Sequence, residues 1–93
     1  MIEITSDGKV IFIFDYSTDE QVYLVGDFNN WDEESHPLKK RDDGRWFIEL
    51  KLLPGAYEYK YKVGAQWYND YAAHNYVQNV WGSDNSVVIV KPK

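Results

Sequence analysis

Cysteine is absent from all 93 residues, which excludes a disulfide framework, thiolate metal sites and cysteine catalysis together. Redox chemistry therefore leaves the compartment open, and the cytoplasm is the default expectation. Long apolar runs are missing too. Nothing approaches the roughly 18 consecutive apolar residues of a membrane span, and the opening MIEITSDGKV has neither the charged nor the apolar region of a signal peptide. Positive charge is scarce: ten Lys and Arg face fifteen Asp and Glu, a formal net charge of −5. Counterion release, which drives most nucleic-acid binding, works against such a chain, so no nucleic-acid partner is expected.

Catalytic signatures are lacking as well. His36 and His74 sit in polar stretches with no His-x-x-x-His and no Gly-x-Ser-x-Gly, and both read as solvated loop residues. Fifteen carboxylates place some pair close together by chance, so counting them reveals no acid/base pair. The chain reads as a non-enzyme with no cofactor and no metal. Its length suits one domain over residues 1–93, in which about two-thirds of the unfolded surface becomes buried.

What is abundant is aromatic: four Trp, eight Tyr and four Phe make up 17% of the chain. Aromatics favour strands, and Tyr and Trp are also the side chains most often kept at binding surfaces. No window holds a helical period, whereas alternation with period two recurs between turn signals. Strands are expected over Val10–Phe14, Gln21–Val25, Pro37–Arg41, Arg45–Leu52, Tyr57–Val63, Gln66–Tyr68 and Val87–Val90. Asp43-Gly44 supplies the positive φ of a tight hairpin, Pro54-Gly55 the centre of a type II turn, and Gly64-Ala65 a type II′ turn. Asn69–Ser86 has no clean period and reads as a long irregular loop of roughly eighteen residues, a candidate functional segment. About seven short strands separated by turns predict an all-β, immunoglobulin-like sandwich.

Parity sorts the tryptophans. Trp46 shares a face with Ile48, Leu50 and Leu52 and belongs to the core. Trp31 ends a Gly-Asp-Phe-Asn-Asn loop and precedes Asp32, Glu33 and Glu34, surroundings that suit an exposed ring. Trp67 follows the Gly64-Ala65 turn and Trp81 precedes Gly82; each either stands exposed or caps the open end of the sandwich. Lys60 alternates away from Tyr57, Tyr59 and Tyr61, as a solvated lysine or as a donor to a ligand. Asn85 is either a turn residue bonding its own backbone or an amide offering donor and acceptor. Exposed indoles beside amide and ammonium groups suit a sugar, whose faces carry C–H bonds and whose rim carries hydroxyls.

Five stretches in order, Val22-Tyr23-Leu24-Val25-Gly26-Asp27-Phe28-Asn29-Asn30-Trp31, Gly44-Arg45-Trp46, Leu53-Pro54-Gly55 with Tyr57-Glu58-Tyr59-Lys60-Tyr61, Gln66-Trp67, and Gly82 to Asn85, resemble a family 48 carbohydrate-binding module. This is the glycogen-binding domain of the AMP-activated protein kinase β subunit and of branching and debranching enzymes. The resemblance runs from Val10 to Val90. It implies an early-set immunoglobulin-like sandwich that binds α-1,4-glucans such as glycogen, starch and maltooligosaccharides without cleaving them. It further implies stacking by Trp31 and Trp67, polar contacts from Lys60 and Asn85, and contributions from Trp81 and Ser83. Asp70-Tyr71 stands where the family usually has Asp-Pro. A larger glucan-active enzyme or a kinase complex is the implied protein partner. The rival reading is a protein-interaction or packing domain that holds no sugar.

Overall fold

The computed structural model describes residues 1–92; of the domain expected over 1–93, Lys93 lies outside the described residues. Nine strands are found among them: β1 (Ile2–Ile4), β2 (Lys9–Phe14), β3 (Val22–Gly26), β4 (Lys39–Lys40), β5 (Trp46–Lys51), β6 (Gly55–Val63), β7 (Gln66–Tyr68), β8 (Asn75–Gln78) and β9 (Asp84–Val90). All pairings are antiparallel. One sheet has the order β1-β2-β5-β4 and the other β3-β6-β9-β8, with β7 attached to β6. The expected immunoglobulin-like β-sandwich is thus the fold observed.

The core forms where the alternating faces meet. Val10, Phe12, Phe14 and Trp46 of the first sheet pack toward Val22, Leu24, Tyr59, Tyr61, Val63, Val88 and Val90 of the second. Phe12 meets Tyr59 edge-on at 5.0 Å between ring centres, and Phe14 meets Tyr61 at 5.1 Å, geometries that add roughly 0.5–1.5 kcal/mol per pair beyond simple burial. Ile13, on the opposite face of β2, is buried as well, as its continuously apolar run predicts. Trp46 is buried, in agreement with its parity.

Four local expectations are corrected. The expected irregular segment Asn69–Ser86 contains β8 and the start of β9. β8 lies at the sheet edge with every residue exposed, so neither face carries the apolar alternation that reveals a strand. β1 escaped notice because it is short and only its first residue is part-buried. At Pro54-Gly55 the chain bends from one sheet to the other, and Gly55, at φ 153°, already pairs with Val90 instead of taking the φ near +80° of a type II turn. In the Asp42-Asp43-Gly44 hairpin only Gly44 has positive φ, 89°. The Gly44 N–H donates to Arg41 O and the Arg41 N–H to Arg45 O, a three-residue connection closed by a bulge. At Gly64-Ala65 only Gly64 has positive φ, 58°, the sign pattern of the expected type II′ turn.

Candidate functional site: a tryptophan-lined cleft

β6 is the long strand on which the site is built. Its Tyr59–Val63 end pairs with β3 along one edge; on the other edge β9 covers Gly55–Tyr59 and β7 covers Tyr61–Val63. Lys60 lies where that neighbour changes. Because side chains alternate, Glu58, Lys60 and Lys62 project from the face opposite the core, and Trp67, paired across from Lys62, shares that face. An open cleft of ≈ 730 Å³ lies there, and its walls include Trp31, Lys60, Trp67, Trp81, Ser83 and Asn85. All six residues singled out from the sequence are brought together.

Their states differ. Trp31, expected to be exposed, is half-buried, with its indole N–H donating to Asp27 Oδ1 at 3.0 Å. Trp67 is 43% exposed, and the Lys62 ammonium nitrogen lies 5.2 Å from its ring centre. Lys62 also forms an ion pair with Glu33. One face of the Trp67 indole therefore carries a cation. Trp81 is 87% exposed at the tip of the β8–β9 hairpin.

That tip is a built feature. Asn79 Oδ1 accepts from the backbone N–H groups of Trp81 and Ser83 at 2.9 and 3.2 Å, and Gly82 takes φ 83°. Asn79 Nδ2 donates to Ser83 Oγ at 2.9 Å and to Asn85 Oδ1 at 3.0 Å. Asn85 is buried within β9 instead of bonding its own turn; its Nδ2 donates to Glu58 Oε1 at 3.0 Å. Lys60 Nζ donates to Ser83 Oγ at 3.4 Å, which leaves the Ser83 hydroxyl proton free to donate outward. A sequence of hydrogen bonds thus joins the Trp31 loop, β6 and the Trp81 hairpin. Asp27, Glu58, Gln78, Asn79 and Val80 are the cleft residues that sequence reasoning missed. The signal for Asn79 was present, since Asn-Val-Trp-Gly is a turn sequence with an Asx residue leading it.

Both histidines lie in loops, as expected, His36 half-buried and His74 exposed, and each has protein partners. His36 Nδ1 bonds Asn29 Nδ2 at 3.0 Å and Ser35 Oγ at 2.9 Å, which braces the Trp31 loop. His74 Nδ1 accepts from the Ile89 N–H at 2.9 Å. Neither is simply solvated. No cluster of three His, Cys, Asp or Glu among the described residues could hold a metal ion. No helix among them is long and apolar enough to cross a membrane.

A β-sandwich carrying three indoles and a polar network around one outer-face cleft has the design of a carbohydrate-binding module. The chain belongs to the family described as the glycogen recognition site of AMP-activated protein kinase, whose model matches residues 9–93. It is 32% identical to the chloroplastic phosphoglucan phosphatase LSF1 of Arabidopsis thaliana, over 97% of this chain and 16% of that protein. It is 50% identical to the 1,4-alpha-glucan branching enzyme GlgB of Oceanobacillus iheyensis over 46% of this chain and 7% of that enzyme. The 1,4-alpha-glucan-branching enzyme of Saccharomyces cerevisiae matches at 56% identity over 38% of this chain and 5% of that enzyme. The chain therefore spans only a small part of these relatives. Its family is defined by carbohydrate recognition, not by catalysis.

Proposed function

We propose that this chain binds α-1,4-glucans, such as glycogen, starch and maltooligosaccharides, and does not cleave them. Trp31 and Trp67 stack on glucose rings, Trp81 adds a third apolar wall from the hairpin tip, and Lys60, Ser83 and Asn85 bond the hydroxyl rim. The observation that carries this reading is that these residues, drawn from four separate stretches of sequence, line one cleft. Each indole that covers about 100 Å² of sugar contributes roughly 2.5 kcal/mol before the cost of immobilising the ligand, which suits dissociation constants in the micromolar to millimolar range. Residues 1–93 act as one module, in the cytoplasm, and serve as the glucan-holding part of a larger glucan-active protein or kinase complex. The small share of each relative that the chain matches supports that last point.

The test is calorimetric and fluorimetric titration with maltoheptaose and β-cyclodextrin, with cellohexaose as the linkage control. Saturable binding of both α-glucans with an indole fluorescence change, and none with cellohexaose, is expected. No heat and no fluorescence change at millimolar maltoheptaose would overturn the reading in favour of a packing domain.

A further inference from the structure

Asp27 divides its carboxylate between two elements. Oδ1 accepts from the Trp31 indole N–H at 3.0 Å, and Oδ2 accepts from the Glu58 backbone N–H on β6 at 2.8 Å. The β3–β6 ladder ends at the Gly26–Tyr59 pair, so the Asp27 side chain takes up the next donor of β6 just after its own backbone has left the sheet. The short 3-10 turn Asp27–Asn29 that follows is pinned separately: Asn29 Oδ1 accepts from the Gly26 N–H, and Asn29 Nδ2 donates to Leu24 O, both at 3.0 Å.

The chain then adopts left-handed backbone at two consecutive non-glycine residues, Asn30 at φ 56° and Trp31 at φ 59°. Each such residue costs on the order of 1–2 kcal/mol, so the surrounding contacts must hold it. The Trp31 N–H donates to Gly26 O at 2.9 Å, which fixes the backbone, and the bond from the indole N–H to Asp27 orients the ring. It also consumes the one hydrogen-bond donor of the indole, leaving the ring to meet a ligand through its faces.

We infer that Asp27 is a positioning residue that locks the plane of Trp31 to strand β6 and thereby sets the shape of the glucan cleft. It acts through Trp31, whose indole N–H one of its oxygens holds while the other ties the loop to the backbone of β6. This rests on the glucan reading and adds to it a residue that neither alternation nor exposure singles out.

The test compares Asp27→Ala, Asp27→Asn and Trp31→Phe by maltoheptaose titration, thermal melting and the indole N–H resonances in nitrogen–proton correlation spectra. In Asp27→Ala the Trp31 indole resonance moves and loses protection from solvent exchange, affinity falls about tenfold, and the melting temperature stays within a few degrees. Asp27→Asn keeps one acceptor oxygen in the same shape and gives an intermediate loss, which carries the test if the alanine variant does not fold. In the Trp31→Phe background, which has no indole N–H, Asp27→Ala adds less than about twofold. An unmoved indole resonance, or the same loss of affinity in the Trp31→Phe background, would overturn the assignment. A wild-type protein that binds no maltoheptaose overturns the glucan reading and the binding role of Asp27 with it, whereas the indole resonance still decides, without sugar, whether Asp27 holds the ring.

Discussion

The Tyr59 hydroxyl donates to Asp70 Oδ2 at 2.8 Å beneath the sheet that carries the cleft, with both side chains buried. Tyr61 donates to the same oxygen at 3.4 Å, the Ala72 N–H to Oδ1 at 3.0 Å, and the amino group of Met1 also reaches Oδ1. Burial, reinforced by the negative charge of Asp70, pushes both phenols far above the ordinary value of 10.0.

The sign of the resulting pH dependence follows directly. Above pH 10 the unfolded chain releases these two phenolic protons while the folded protein keeps them, so the unfolded state binds fewer protons and stability falls as pH rises. The contribution is complete below pH 10 and declines above it by about 1.4 kcal/mol per pH unit for each tyrosine. Urea unfolding followed from pH 8 upward should show this slope, and Tyr59→Phe should remove one tyrosine's share of it. The tyrosinate absorbance owed to Tyr59 and Tyr61 should appear only as the protein unfolds. Tyr71 is also raised, by its hydrogen bond to Asp15, but it is exposed.

Gly26 and Gly44 separate steric crowding from backbone strain. Gly26 has an extended φ of −175°, which any residue adopts, but an added Cβ would stand 2.4 Å from Glu58 O and 2.8 Å from Tyr59 Cβ. Gly26→Ala should therefore cost about 1–3 kcal/mol by forcing β3 away from β6, and it should weaken glucan binding because the Trp31 loop starts there. Gly44 has open space around it but a φ of 89°. Its replacement by Ala should cost about 1–2 kcal/mol and leave affinity unchanged, since the Arg41–Arg45 hairpin gives no residue to the cleft. Paired urea midpoints and maltoheptaose titrations check both halves; equal loss of affinity in the two variants would refute the distinction.

The Lys62 ammonium lies over the Trp67 ring. Lys62→Met keeps an apolar stem of similar length but removes the charge over the ring and the partner of Glu33. The expected result is a two- to fivefold weaker affinity, within the roughly 0.5–1 kcal/mol of an exposed cation–π pair, with little change in melting temperature. Binding that strengthens instead would mean that the lysine obstructs the stacking face.

The sandwich was legible because its core obeys a period of two: Tyr57, Tyr59, Tyr61 and Val63 on β6 point one way, and the turns at Gly44 and Gly64 carry the backbone preferences of their residues. Six of the cleft residues were legible by type and by resemblance, and Trp31, Lys60 and Trp67 do line one cleft. The supports were not. β8 carries no alternation because both of its faces are exposed. Asp27 and Glu58 look like ordinary surface acids until the register shows that one side chain caps the backbone of the other's strand. The burial of Asp70 gave no signal, because a buried carboxylate is identified by donors from distant strands and not by its neighbours in sequence.

Asn79 is where the hairpin and the cleft can be taken apart experimentally. Its side-chain oxygen holds the tip through Trp81 and Ser83, while its nitrogen holds Asn85 and the Ser83 hydroxyl. Asn79→Ala removes both functions: the Trp81 and Ser83 amides should exchange faster with solvent, and glucan affinity should drop about threefold or more. Asn79→Asp keeps the acceptor and loses the donor, so amide protection at the tip should survive. Affinity should still fall, because a carboxylate placed opposite Asn85 Oδ1 repels it and adds a third negative group beside Asp27 and Glu58 in the cleft. Hydrogen exchange and titration on the same two variants therefore read different atoms of one residue. If Asn79→Asp matched the wild type in affinity, the polar link from Asn79 to Asn85 would have no part in binding, and the hairpin would matter only as the mount for Trp81.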